Sequence, residues 1–297
     1  MTTVTIAEVA PPARHARVRR YLRRFPMSAR IAAFLLFAFA VIAITGPLWA
    51  PYGYAQTATG LPFSGSSAQH WFGTDILGRD VFSRVVYGTR DVLYLSLTST
   101  AISVVIGGVV GLASGLVGGW LDELLMRFFE TIISIPLLVL ALLAIAAAGP
   151  ELSGNSILLI GVVVLVYAPR VARMARAVAV DLVTRDFVTI ARTRGESVRS
   201  IVWRELTPNA AGVLLVEFGV RAGYAPILIS SLGFLGFGER PPSPEWGLMI
   251  SENRAALASA PLTVLAPAGA LAILVISLNL VTDGVARVIG RTAERTP

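Results

Sequence analysis

The sequence predicts an all-α, polytopic membrane protein with six transmembrane helices. Three observations carry that prediction. Of its 297 residues, 55% are hydrophobic and only 14% charged, whereas a soluble domain carries roughly 25% charged residues; the mean hydropathy is +0.72. The apolar residues gather in stretches of about 20, the length that crosses a hydrocarbon core of about 30 Å at 1.5 Å per residue. The basic residues, every one an arginine, sit between those stretches and favour one side.

Residues 1–30 read as a basic tail leading to a surface helix, with Pro11, Pro12 and the cluster Arg14, Arg17, Arg19, Arg20, Arg23 and Arg24. The first span is 31–50. Its basic preamble is too long, and its apolar run exceeds the 7–15 residues of a signal-peptide core. Residues 51–91 are a polar loop. The second span, about 92–118, carries Gly107, Gly108, Gly111 and Gly115, and small residues four apart let helices approach closely in lipid. The third, about 124–148, contains Pro136, which should kink it. After the turn GPELSGN comes a fourth span at about 155–172, then a polar segment at 186–209. A fifth span covers about 210–236 and a sixth about 263–284. Between them, 237–262 is a Pro-rich loop with a short helix, and 286–297 is a tail.

Six spans put both termini on one face. That face holds nineteen arginines and the other five, with Arg221 inside a span. The positive-inside rule then places the termini and 186–209 in the cytoplasm, and 51–91 and 237–262 outside. The net charge of +7 is read as this topology signal and not as a nucleic-acid surface.

Segment 186–209, DFVTIARTRGESVRSIVWRELTPN, splits at Gly195. Its first half forms about two helical turns, with Asp186 near the N-terminus and Arg192 and Arg194 near the C-terminus, which suits the helix dipole. Gly195 is placed for a left-handed cap and Ser197 for the next N-cap. Val198, Ile201, Val202 and Leu206 make an apolar stripe, which is expected to face a partner. Pro208 is expected to end this helix before the fifth span.

Candidate chemistry is sparse. The absence of cysteine excludes disulfides and thiolate sites, and the two histidines, His15 and His70, form no cluster. His70, Asp75 and Asp80 are possible hard or borderline ligands. Gly-Thr-Asp and Gly-Arg-Asp read better as turns and caps, with Asp80 and Arg84 an i,i+4 ion pair, so no metal and no cofactor is expected. Trp246 in ERPPSPEWG could be an interfacial anchor or part of an outer contact surface. Glu217 and Arg221 lie four apart inside the fifth span, with Glu217 about 12 Å beyond Asn209. They are either a neutralised structural pair or part of a polar path.

The segment 186–209 resembles the coupling loop of ABC importer permeases, in the form typical of the dipeptide and oligopeptide family. HWFGTDILGRDVFSRVVYGTR (70–90), GGWLDELLMRFFETIISIPLLVLAL (118–142), SLGFLGFGERPPSPEWGLMI (231–250) and NLVTDG (279–284) are similar to other motifs of that family, in order and in matching register from about 28 to 285. This chain departs from it at Thr189, Ile190 and Ala191, where the family has Glu-Ala-Ala, and at Glu217 and Arg221, where it usually has Gln- and Asp-like residues. The resemblance implies a type I permease fold with its core in 92–285. It implies a role importing di- or oligopeptides with a second, homologous permease, two ATP-binding subunits and an extracytoplasmic binding protein. The same fold also serves nickel, glutathione and haem importers. On that resemblance Asp186, Phe187, Ala191, Gly195, Ser197, Val198, Ile201, Pro208 and Asn209 form the loop that an ATPase grips. The chain itself is expected to be non-catalytic, because a Walker A motif needs a lysine and it has none. A proton-coupled transporter is the rival from another class. It would want acids deep in several spans, and only Glu130, Glu217 and Asp283 are candidates.

Overall fold

The computed structural model describes residues 26–293, with side chains to 289. The arginine cluster of the N-terminal tail, His15 and the last residues of the C-tail lie outside the described residues. Among the described residues there are ten α-helices: α1 Met27–Trp49, α2 Val81–Val117, α3 Gly119–Ser134, α4 Leu137–Ala148, α5 Ser156–Val183, α6 Asp186–Thr193, α7 Val198–Ile201, α8 Thr207–Phe234, α9 Trp246–Asn253 and α10 Leu262–Ala293. Among the described residues five helical runs are long and apolar enough to cross a membrane, or six if the bent pair α3–α4 is one span. This is the predicted all-α, polytopic class.

Several element boundaries differ from the sequence reading: the fourth span runs on from the expected 172 to Val183 and the sixth from 284 to Ala293, and three others have a clear local cause. The second span begins at Val81, inside the expected loop 51–91, because the Asp80 side chain accepts from Ser83 N and caps a helix of 37 residues. At 1.5 Å per residue α2 is about 55 Å long. Pro136 does more than kink the third span. Ile135 is forced to extended backbone, as a residue before proline prefers, and α3 and α4 meet at 98°. Pro208, expected to end a helix, lies inside one. The helix runs from Val198 to Phe234 without interruption, through a π-turn at Val202–Leu206 where Thr207 N donates to Val202 O. That wider turn accommodates a ring that would otherwise clash one turn back.

The packing centre is α2 against α5. Added Cβ atoms at Gly107, Gly111 and Gly115 would collide with the Ala168 and Ala172 carbonyls and with the methyl groups of Ala175 and Ala179. The small-residue pattern on α2 therefore meets a second one on α5, and backbone approaches backbone.

At one end of α2, residues 51–80 and 239–253 form a compact polar cap. Asp75 Oδ2 accepts from Arg79 Nε and Arg84 Nη1, both at 2.6 Å. Glu252 Oε2 accepts from Arg79 Nη2 at 2.7 Å and from Arg84 Nη1 at 3.0 Å. Arg84 Nη2 donates to Ser243 O at 3.0 Å. The two arginines are 1% and 0% exposed. The expected Asp80–Arg84 pair does not form: Asp80 faces His70 at 2.9 Å and Ser83 N instead. Trp246 is not an interfacial anchor. It is fully buried, donates from Nε1 to Val85 O, and packs on Phe39 and against Gly88.

Candidate functional site

At the other end of α2 lies the predicted loop. α6 runs from Asp186 to Thr193, as the sequence reading has it. Its C-terminus closes with Gly195 N donating to Arg192 O and Glu196 N to Ala191 O, a Schellman pair. Gly195 takes φ +73°, and no atom lies within 4 Å of where its Cβ would stand. Ser197 caps α7 by accepting from Ser200 N. The left-handed hinge and the second N-cap are both present.

The apolar stripe does a different job from the expected one. Ile201, Val202 and Leu206 are buried and join Val188, Ala191 and Ala210 in a cluster with Leu112, Leu116, Ala175 and Ala179. Only Val198 remains exposed. The stripe fastens the loop onto α2 and α5. Burying three aliphatic side chains stabilises this docking by roughly 1.5–3 kcal/mol each. The face turned outward is a different one: Ile190, Val198 and Trp203 among Arg194, Arg199 and Arg204. Among the remaining predicted loop residues, Ala191 is buried, Phe187 half-buried, and Asp186, Pro208 and Asn209 exposed. Asn209 Nδ2 donates to Glu205 O at 2.6 Å.

Two further ties were not readable in the sequence. Arg192 Nη2 donates to Leu116 O at 2.7 Å, reaching the unpaired carbonyls that end α2. Asp122, from the DELLMR motif, accepts from Arg176 Nε at 2.8 Å and Nη2 at 2.6 Å, and also from Ser114 Oγ. It locks α3 to α2 and α5. A signal for these exists only across helices, which one sequence does not display.

The second candidate group sits midway along α8. Glu217 Oε2 accepts from Arg221 Nε at 3.1 Å and Nη2 at 2.9 Å. The pair expected from i,i+4 spacing forms. It is also more than a closed pair, because Arg221 lines a cavity of about 310 Å³ with Leu137, Leu138, Tyr167, Tyr224 and Ser231. The guanidinium carbon lies 5.8 Å from the Tyr167 ring centre. Tyr167 and its neighbour Arg170 come from α5 and were not singled out in the sequence.

Among the described residues no three His, Cys, Asp or Glu side chains converge, and each ring nitrogen of His70 faces a protein acceptor, Asp80 Oδ1 or Thr59 O.

A family profile described as binding-protein-dependent transport system inner membrane component matches residues 107–295. The dipeptide transport system permease protein DppC of Alkalihalophilus pseudofirmus is 34% identical over 256 residues, covering 86% of this chain and 83% of that one. DppC of Haemophilus influenzae is 32% identical over 262 residues, covering 86% and 88%. The glutathione transport system permease protein GsiD of an Escherichia coli strain is 35% identical over 275 residues, covering 91% and 88%.

Proposed function

This chain belongs to the family of binding-protein-dependent transport system inner membrane components, and on that premise we propose that it is one permease subunit of an ATP-driven importer of di- or oligopeptides. It forms the translocation path with a second, homologous permease. Two ATP-binding subunits grip the loop 186–209 in the cytoplasm, where both termini also lie. An extracytoplasmic binding protein delivers substrate to the opposite face. The chain hydrolyses nothing itself; its lack of lysine denies it a Walker A motif.

The observation that carries this reading is mechanical. The π-turn joins α7 to α8 without a break, so a force on the outward face of the loop moves the helix that bears Glu217 and Arg221. The buried stripe keeps that force from being lost in a floppy segment. Peptide cargo is favoured by relatives named for dipeptide transport at 32–34% identity. Glutathione, itself a tripeptide, is the second reading, favoured by relatives named for it at 33–35%.

The test uses this Cys-free chain co-expressed with its partners. A cysteine at Ile190 or Trp203 should cross-link to an ATP-binding subunit and be shielded from external thiol reagent. A cysteine at Ser66 or Ser259 should label from outside. External labelling at Trp203, or cross-linking of the ATPase at Ser66 instead, would reverse the proposed topology and remove the coupling role.

A further inference from the structure

We propose that Arg221 receives a carboxylate of the translocated substrate at mid-membrane, with Glu217 holding the guanidinium in position. This rests on the peptide-importer reading and deepens it by naming the substrate group that the path recognises.

Arg221 stands near the middle of α8, about 20 Å from either end at 1.5 Å per residue. That depth is out of reach of lipid headgroups. Glu217 occupies one edge of the guanidinium, through Nε and Nη2. Nη1 has no hydrogen-bond acceptor among the described residues, so the Nη1–Nη2 edge stays open. Arg221 lines the cavity with Tyr167 and Tyr224. An arginine fork with one free edge matches a carboxylate in bidentate geometry.

Arg170, one turn along α5 from Tyr167, donates to the Val166 carbonyl of its own helix, and Glu217 is the one acid paired with Arg221 among the described residues. The guanidinium lies over the Tyr167 ring, its carbon 5.8 Å from the centroid, and Glu217 holds it by Nε and Nη2.

The experiment is uptake into proteoliposomes holding the whole complex, with its binding protein and ATP. The probes are alanyl-alanine, alanyl-alanine amide and alanyl-glutamate amide. Because the binding protein is constant, the quantity read is the acid-to-amide uptake ratio of each variant relative to the unmodified complex. Arg221→Gln should lower that ratio about tenfold, the worth of one charge-assisted contact, and Arg221→Lys should lower it less. Should Arg221→Gln fail to assemble, the Glu217→Gln/Arg221→Gln double variant leaves no lone charge and should show the same lowered ratio. Arg221-dependent uptake of alanyl-glutamate amide would show that a side-chain carboxylate also serves, and dependence only for alanyl-alanine would assign the terminal one. An unchanged ratio, or an equal loss of acid and amide uptake, overturns the inference and leaves a structural pair, while peptide import stands. Failure of the unmodified complex to take up any of the three overturns the peptide reading and this inference with it.

Discussion

The two ends of α2 use arginine in opposite ways. At the Val81 end, Arg79 and Arg84 are buried and bonded to Asp75 and Glu252, pinning residues 51–80 to the segment around α9. At the Val117 end, Arg194, Arg199 and Arg204 face outward, and aliphatic side chains hold the loop in place. A buried ion network resists rearrangement, since breaking one partner strands the other. An aliphatic anchor under a charged outer face keeps its shape; Arg194 pairs with Glu196, while Arg199 and Arg204 make no ion pair among the described residues. On the proposed function, the first end is held rigid and the second is the handle that an ATP-binding subunit would grip.

The largest effect should come from breaking the buried network. Arg84→Gln leaves Asp75 and Glu252 facing one cation fewer in a buried site, which costs about 3–5 kcal/mol. Membrane levels and thermal stability in detergent should both fall sharply. Asp75→Asn added to Arg84→Gln should recover part of the loss, because it removes the stranded charge. No recovery would mean the network acts through shape and not charge.

Glu245 sharpens the same comparison through pH. It is fully buried beside the network, accepting from Gly247 N, Leu248 N and Ser230 Oγ. Burial pushes its pKa up to about 7 from an ordinary 4.5, against those three donors. A carboxyl whose folded pKa is raised binds its proton more tightly folded than unfolded. Its stabilising contribution is therefore full below pH 4.5 and lost as pH rises to 7. The melting temperature of the unmodified chain minus that of Glu245→Gln should shrink between pH 5 and pH 8. A difference flat with pH would show that the carboxyl stays ionised throughout. Glutamine turns a donor toward one of the two backbone N–H groups, so it should also cost about 1–3 kcal/mol at low pH.

Gly195→Val tests the handle. With φ at +73° and open space around it, the cost is conformational, about 1–2 kcal/mol or more for a β-branched residue. The buried stripe is untouched, so the complex should still assemble. Stimulated ATP hydrolysis and uptake should drop as α6 and α7 lose their relative angle. Gly195→Asn, which tolerates the left-handed region better, should fall between. Normal coupling in the valine variant would take the hinge out of the mechanism.

How much of this was legible follows from the range of each interaction. The six-span class, the Gly195 hinge, the Ser197 cap and the Glu217–Arg221 pair rest on contacts within four or five residues, and sequence spacing displays those. The glycine pattern of α2 was also readable, because it needs only a close neighbour of any identity. The distant partners of Arg84, Arg192 and Asp122, namely Glu252, Leu116 and Arg176, lie 54 to 168 residues away along the chain, and spacing says nothing of them. The stripe of Val198, Ile201, Val202 and Leu206 shows the intermediate case. Its period gave the helix and the face, but an apolar face looks the same whether it meets its own chain or another. The Pro208 boundary failed because a π-turn leaves no mark in composition.

The smallest effect should come from Arg199, and its value is in the contrast with Arg192, seven residues earlier in the same loop. Arg192 donates to Leu116 O and so belongs to the fold. Arg199 is exposed and makes no side-chain hydrogen bond or ion pair among the described residues. Arg192→Gln should cost about 1–2 kcal/mol, the loss of a charge-assisted bond at a helix end. Arg199→Gln should stay within about 0.5 kcal/mol of the unmodified chain, as surface substitutions do. If the outward arginines serve a partner, Arg199→Gln should nonetheless weaken retention of the ATP-binding subunits, and the weakening should fade at high salt, where exposed charges are screened. Measuring melting temperature and subunit retention on one preparation separates the two quantities. A destabilised Arg199 variant, or one whose retention matches the unmodified chain at low salt, would erase the distinction between arginines that build this loop and arginines that it displays.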